Sequence, residues 1–430
     1  MPNTGQTAPK QRHWFKLDNA ATIFPGQNTQ RWSNIFRFSV VLDREVKPDL
    51  LERALEETLA RFPCFDVRIR RGFFWYYFEK NGAAAPPVMP DIKNPCYRIR
   101  FNENRRFLFR VYYRHNRISV DFYHALCDGY GASRFICTLA ARYLNLDGIH
   151  TGAGGAVLDT ASQASEGEME DSFERYASSK AKLRRFNGFA YHAKGTRLPH
   201  HTLHLTTGFM PLDRVSAVAK SSGVTITEYT AAVLLDIMLR KQALEQRKTK
   251  RVSIQIPVNL RNHFPSQTLR NFVLCMNIGI DPMLGDYTFE EILRAVKLGV
   301  RTENDPKRLN ALMSANRRLQ TNPLMRALPL ALKKAGIGVH FRISGEQSTS
   351  VLLTNFGKVE LPAGMRGHVE SLIFASGPGI LNGARWGAVS CGNVFALTCS
   401  NVYRETDIEK AVFTHFIRAG VPVRVESNKN

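Results

Sequence analysis

Between Phe107 and His124, apolar side chains recur at every second position on both sides of His115-Asn116. Phe107, Phe109, Val111 and Tyr113 share one face of the first run; Ile118, Val120, Phe122 and His124 share one face of the second. A period of two puts successive side chains on opposite faces of a strand. The stretch therefore predicts an antiparallel hairpin turning at His115-Asn116. That rules out an all-helical fold and sets an imidazole on the same face as three core residues. The run ends in His124-Ala125-Leu126-Cys127-Asp128-Gly129, and SRFICTLAARYL (133–144) then takes helical spacing and is predicted to pack back on the sheet.

The rest of the chain mixes the same two periods. NIFRFSVVL (34–42) alternates and predicts a half-buried strand. In PDLLERALEETLARFPCF, Leu51, Leu55, Thr58, Leu59 and Phe62 form one helical stripe, which Pro48-Asp49 starts and Pro63 stops. DVRIRRGFFWYYFE (66–79) predicts a hairpin with Gly72 at its turn. Residues 151–171 turn Gly- and Ser-rich, then acidic, which predicts a linker or exposed crossover. Beyond it, Thr225 with Glu228 and Thr288 with Glu291 are capping boxes opening two helices. Val252, Ile254 and Ile256 alternate in a strand that ends at PVNLRNHF; FVLCMNIGI and SVLLTNFG are further strands. PLMRALPLALKKAG is predicted helical with a break near Pro329, FASGPGILNGARWGAVSCGNVFALTCSNV as a hairpin returning through a Gly-rich turn, and ESNKN at the end as frayed. Helices and hairpins intermix, so the fold class is α/β (α+β) with mixed, largely antiparallel sheets flanked by helices. The expected organisation is an N-terminal half over 1–165, a crossover over 166–205 and a C-terminal half over 206–430.

A chain of 430 residues predicts two or three domains, and 44% hydrophobic residues suffice to give each a core. The longest apolar runs, such as AAVLLDIML and VFALTC, fall short of a membrane span. The first residues, MPNTGQTAPKQRHW, hold no apolar signal core, so a cytoplasmic setting is expected. Seven scattered cysteines without a CxxC pair read as reduced thiols, not as a disulfide framework or zinc site. The net charge of +22 favours anionic partners: nucleic acid, an acidic carrier protein or a phosphate-bearing cofactor. No helix-turn-helix, zinc-finger or RNA-recognition signature accompanies it, so nucleic-acid binding rests on electrostatics alone.

Two readings of His124 stand side by side. It is a core histidine with a satisfied hydrogen bond, or a general base held at a strand tip. A base needs a neutral imidazole near physiological pH, one fixed tautomer and access to a cavity. Rigid strand before and tight loop after supply the fixing, with Gly129 allowing a left-handed or close-packed turn. Other chemistry finds less support. His200, His201 and His204 (HHTLH) lack a carboxylate or cysteine at useful spacing, so no metal site is expected. GPGILNG lacks the P-loop lysine, and there is no GxSxG nucleophile elbow.

His124-x-x-x-Asp128-Gly129 at a strand end resembles the HxxxDG signature of the CoA-dependent acyltransferase superfamily. That group includes chloramphenicol acetyltransferase, plant BAHD enzymes, alcohol acetyltransferases and nonribosomal condensation domains. The motif's place a third of the way along, the chain length and the early LLERALEETLARFPCF helix extend the likeness over most of the chain. It is most similar to a free-standing bacterial-type alcohol acetyltransferase. Condensation domains carry a second histidine where this chain has Tyr123, and NFGKV only partly echoes the plant DFGWG motif.

The resemblance implies two chloramphenicol-acetyltransferase-like domains with a tunnel between them. His124 would be the base that deprotonates an alcohol or amine as it attacks a thioester. Asp128 would be structural and pair with an arginine, for which Arg261 in PVNLRNHFP is the candidate; Asn271-Phe272 follow from the same segment. Thr354 and Asn355 in TNFGKVELP would donate to the acceptor or to the oxyanion. Acyl-CoA would be a co-substrate, with no permanently bound cofactor and no metal. The alternatives are a condensation-type enzyme fed by an acyl carrier protein, and a non-catalytic or nucleic-acid-binding protein on the same scaffold.

Overall fold

The hairpin forms as Phe109–Arg114 paired with Arg117–Tyr123, with Phe109 opposite Phe122 and Val111 opposite Val120. The computed structural model describes residues 14–29, 33–91, 94–181, 183, 188–200, 202–245, 249–333, 336 and 346–429. Within them the hairpin belongs to a five-stranded sheet. Its spatial order is Val369–Ser376, Ile35–Leu42, Arg117–Tyr123, Phe109–Arg114 and Val88–Pro90. A seven-stranded sheet runs Val273–Ile280, Val252–Asn259, Val351–Lys358, Ala384–Cys391, Val394–Asn401, His204–Pro211 and Arg424–Ser427. A small third sheet joins Trp14–Lys16, Tyr76–Lys80 and Val67–Arg71. Between these strands, parallel pairing is confined to Val88–Pro90 against its neighbour and to Val351–Lys358 against both of its own; the other strand pairs are antiparallel.

Two apolar cores result. The first gathers Phe38, Phe62, Phe65, Phe109, Phe122 and Phe135 under the helices Pro48–Arg61 and Gly129–Leu146. The second gathers Leu234, Ile254, Trp386, Phe395 and Phe416, with the helix Ile226–Glu245 at its centre. Burying this aromatic surface is the main stabilising term, since each fully buried large side chain contributes about 1.5–3 kcal/mol. The two halves exchange material: Val369–Ser376 comes from late in the chain yet pairs with Ile35–Leu42, with Phe374 opposite Phe38. No single helix among the described residues is long and apolar enough to cross a membrane; one pair, Leu212–Ser221 with Ile226–Glu245, passes that test together but is bent by 77°.

Both capping boxes form: Thr225 and Glu228 exchange backbone-to-side-chain bonds, as do Thr288 and Glu291. Three expectations need correcting. Ile35–Leu42 is buried on both faces, not half-buried. Its polar face meets buried polar partners where water was expected: Arg37 pairs with Asp121 at 2.6 Å and Asp91 at 2.8 Å, and Ser39 bonds Ser119. The Gly-rich GPGILNG does not turn a hairpin. It carries the chain from the five-stranded sheet to the seven-stranded one, and the hairpin turn falls at Gly392-Asn393 between Ala384–Cys391 and Val394–Asn401. The terminus is not frayed through ESNKN: Glu426 and Ser427 pair with Thr207 and Thr206, and Asn428 bonds Leu203 and Leu205. Arg342, His201, and Lys334-Ala335 of PLMRALPLALKKAG lie outside the described residues, as does most of the N-terminal stretch.

The crossover at 151–171 lies on the surface but is pinned. Arg61 grips Glu168 through both guanidinium nitrogens at 2.7 and 2.9 Å, and Glu168 O accepts from Leu269 N. The halves also interlock at Gly131, in the first turn of Gly129–Leu146. A Cβ there would stand 2.0 Å from the Leu269 carbonyl oxygen, which is backbone and cannot swing away. Gly131→Ala is therefore expected to destabilise the protein by about 1–3 kcal/mol through overpacking. Denaturant melts check this, and a wild-type midpoint would show that the contact is not rigid.

Candidate active site

His124 stands one residue beyond the Arg117–Tyr123 strand, where the chain turns. Its backbone N–H donates to Asn34 O at 2.9 Å, which ties the turn to the neighbouring strand. Phe24 stacks on the imidazole (4.5 Å between centroids, 21°) and Phe36 meets it edge-on at 5.1 Å. The residue stays half-buried.

Across the seam, Nδ1 of His124 lies 3.1 Å from Oδ1 of Asn271. The rest of the Asn271 amide fixes the direction of that bond. Its Nδ2 donates to Asp18 Oδ2 and to Ala125 O, so Oδ1 is the acceptor facing the ring. Nδ1 then carries the proton, and Nε2 keeps its lone pair. Asp18 is fully buried and also accepts from Ala21 N at 2.8 Å. Burial pushes the Asp18 carboxyl up, against the attraction of Arg270. For His124, burial pushes the imidazole pKa down; its own carbonyl, Asp128 and Asn271 oppose this, and Arg385 adds to it.

Asp128 caps the helix Gly129–Leu146. Its Oδ1 accepts from Tyr130 N (3.0 Å) and Gly131 N (3.2 Å), satisfying two donors of the first turn. Its Oδ2 accepts from Arg261 Nη1 and Phe272 N, both at 2.8 Å. Four donors on a buried carboxylate commit both of its oxygens to holding the structure. Arg261 is equally committed, bonding Asn259, Thr268 and Arg270 and lying over the Tyr130 ring at 4.4 Å. Gly129 has an ordinary φ; what demands glycine is close packing, because a Cβ would fall 1.7 Å from the Phe356 ring.

Thr354 and Asn355 lie on Val351–Lys358, but neither bonds His124 or Asn271. Asn355 turns towards the helix Ile226–Glu245: its Nδ2 donates to Thr227 Oγ1 at 2.9 Å, and its Oδ1 accepts from Gly357 N. Thr354 has the parity of Phe356, whose ring packs on Phe38 and Phe374 of the first core. Asp18 and Phe24 were missed in the sequence. They sit in an unpatterned N-terminal segment, and no spacing ties them to a motif a hundred residues on. Among the described residues no three His, Cys, Asp or Glu side chains converge as metal ligands, and six of the seven cysteines are buried.

No family model and no curated protein matches the sequence. Solved structures match its fold. TRI101 of F. sporotrichioides, solved with coenzyme A and T-2, superposes with a TM-score of 0.62 at 11% identity, over 96% of this chain and 100% of that one. Trichothecene 15-O-acetyltransferase TRI3 from Fusarium sporotrichioides gives 0.60 at 12%, over 94% of each. The first condensation domain of the CDA synthetase gives 0.58 at 14%, over 96% and 95%. The mixed, largely antiparallel α/β architecture is thus the one shared by CoA-dependent acyltransferases and condensation domains.

Proposed function

We propose that the protein is an acyltransferase that moves an acyl group from acyl-CoA to an alcohol or amine, with His124 as general base. The observation that carries this is the imidazole held by Asn271 with Nε2 unprotonated, beside an aspartate wholly spent on structure. Nε2 takes the proton of the acceptor as its oxygen or nitrogen attacks the thioester carbonyl. The tetrahedral intermediate collapses, the C–S bond breaks, and the leaving thiolate takes the proton from Nε2. The thioester is already activated, so proximity and one base suffice, with no covalent enzyme intermediate. Thr354 is our donor to the oxyanion or acceptor, with Asn355 behind it through its second Nδ2 hydrogen. A tunnel along the seam between two domains divided near residues 166–205, and a cytoplasmic setting, belong to the same proposal.

Thiol release from a panel of acyl-CoA esters, with candidate alcohols and amines, tests this. Turnover only with a carrier-bound acyl group would instead favour a condensation-type reaction, which the charge of +22 suits through an acidic carrier. A steep salt dependence of nucleic-acid binding with no thioester turnover would favour the non-catalytic reading. The pH profile gives a second check. The neutral ring is the active form, and a lowered pKa keeps it neutral to more acid pH. The acidic limb of kcat/KM is therefore expected below about pH 6.5, the ordinary histidine value. A limb centred above that value would sink the assignment of His124.

A further inference from the structure

A cleft of about 480 Å³ opens on the first half of the chain. Five of its nine lining residues are arginines: Arg68, Arg70, Arg98, Arg100 and Arg106. Two carboxylates offset them in part. Arg68 and Arg70 share Glu79 at 2.7 and 3.2 Å, and Arg100 is 3.3 Å from Glu103. Arg98 donates only to the neutral Asn28, at 3.2 Å, and Arg106 has no carboxylate partner among the described residues. Like charges gathered in a concave site raise the local potential and attract an anion. The backbone leading into the cleft is strained: Asn104, Arg105 and Arg106 take φ of 53°, 50° and 67°, a left-handed run in non-glycine residues. Such conformations persist where the surrounding structure fixes them, and they cluster at ligand sites.

The cleft borders segments that also carry the candidate active site. Phe101, in its lining, packs at 5.4 Å on Tyr123, the last residue of the strand that leads into His124, on the face opposite the imidazole. Asn28, also in the lining, ends the short helix Phe24–Gln27, whose first residue stacks on the imidazole. Its size falls in the range of small-molecule sites, about 300–1,000 Å³, and suits a small ligand better than a duplex or a protein face. Planar guanidinium forks match phosphate oxygens two at a time.

We propose that this arginine cleft binds the phosphate groups of a small ligand carrying two or more phosphates. Resting on the acyl-transfer reading, the ligand is the donor, its phosphates held here and its thioester at His124. The test is calorimetric titration of the protein with tripolyphosphate and, separately, with CoA. Arg98→Gln/Arg106→Gln removes the two guanidiniums without a carboxylate partner. Arg214→Gln/Arg418→Gln removes the same charge at exposed positions elsewhere. Each charge-assisted bond is worth about tenfold in affinity, so the first variant should bind both probes about a hundredfold more weakly, at an unchanged melting temperature. The second should bind nearly as the wild type does. Equal weakening in both variants would overturn the site, because net charge alone would then explain the binding. Loss of tripolyphosphate with CoA binding intact would overturn the link to the donor. Thioester turnover and CoA binding absent from the wild type, with tripolyphosphate still lost in the first variant, would sink the acyl-transfer reading and support the anion site.

Discussion

His124→Ala is expected to lower kcat for acyl transfer by about 10²–10⁴-fold, the usual contribution of a positioned general base. KM should change little, because the ring acts on the proton in transit more than on the bound ground state. The imidazole is held on three sides: Asn271 at Nδ1, Phe24 on its face and Phe36 at its edge. Nothing in that arrangement is replaced by a methyl group. The variant loses aromatic packing as well, so thiol release is to be read at saturating substrate on protein whose melting curve matches the wild type. A variant that is folded and retains full rate would show that the base lies elsewhere.

Asp128→Ala is expected to be the most damaging single change to stability. It leaves Arg261 charged and buried, and breaking one partner of a buried pair costs about 3–5 kcal/mol. The helix cap on Tyr130 and Gly131 is lost at the same time, a further ~1 kcal/mol. The two terms separate experimentally. Asp128→Asn keeps an acceptor for the helix N-terminus but removes the charge facing Arg261. A double-mutant cycle of Asp128→Asn with Arg261→Met then isolates the pair. Denaturant midpoints should fall for each single variant and by less than their sum for the double. An unchanged midpoint in Asp128→Ala would mean that the pair does not hold the halves together.

The strength of that pair follows from its geometry. Asp128 belongs to the loop after the hairpin, while Arg261 and Phe272 belong to the segment between two strands of the other sheet. One carboxylate therefore starts a helix and also ties the two cores across the seam. Losing it should loosen the loop that carries His124, so activity is expected to fall together with stability.

Much of this was legible in the chain because it is local. Alternation between Phe107 and His124 fixes a hairpin, since a strand has a period of two whatever surrounds it. Thr225 with Glu228 and Thr288 with Glu291 fix two helix starts, since a capping box closes within four residues. SRFICTLAARYL marks the helix after His124 for the same reason, although the helix begins earlier, at Gly129, under the cap of Asp128.

What failed was non-local. Arg37 and Ser39 looked solvent-facing, and only the sheet shows Asp91, Asp121 and Ser119 waiting for them. The Gly-rich 377–383 looked like a hairpin turn, and only the exchange of Val369–Ser376 into the first sheet shows it to be a crossing. Asn355 gives one amide hydrogen to Thr227, a contact from a distant helix that no local spacing announces.

The sequence by itself determined that a histidine ends a core-facing strand and that a tight Asp-Gly loop and a helix follow, because both depend on neighbours a few residues away. Only the tertiary structure decided which ring nitrogen is left free. That depends on Asn271 and Asp18, 147 and 106 residues away in either direction, and on hydrogen bonds whose direction is set when the two halves close on each other.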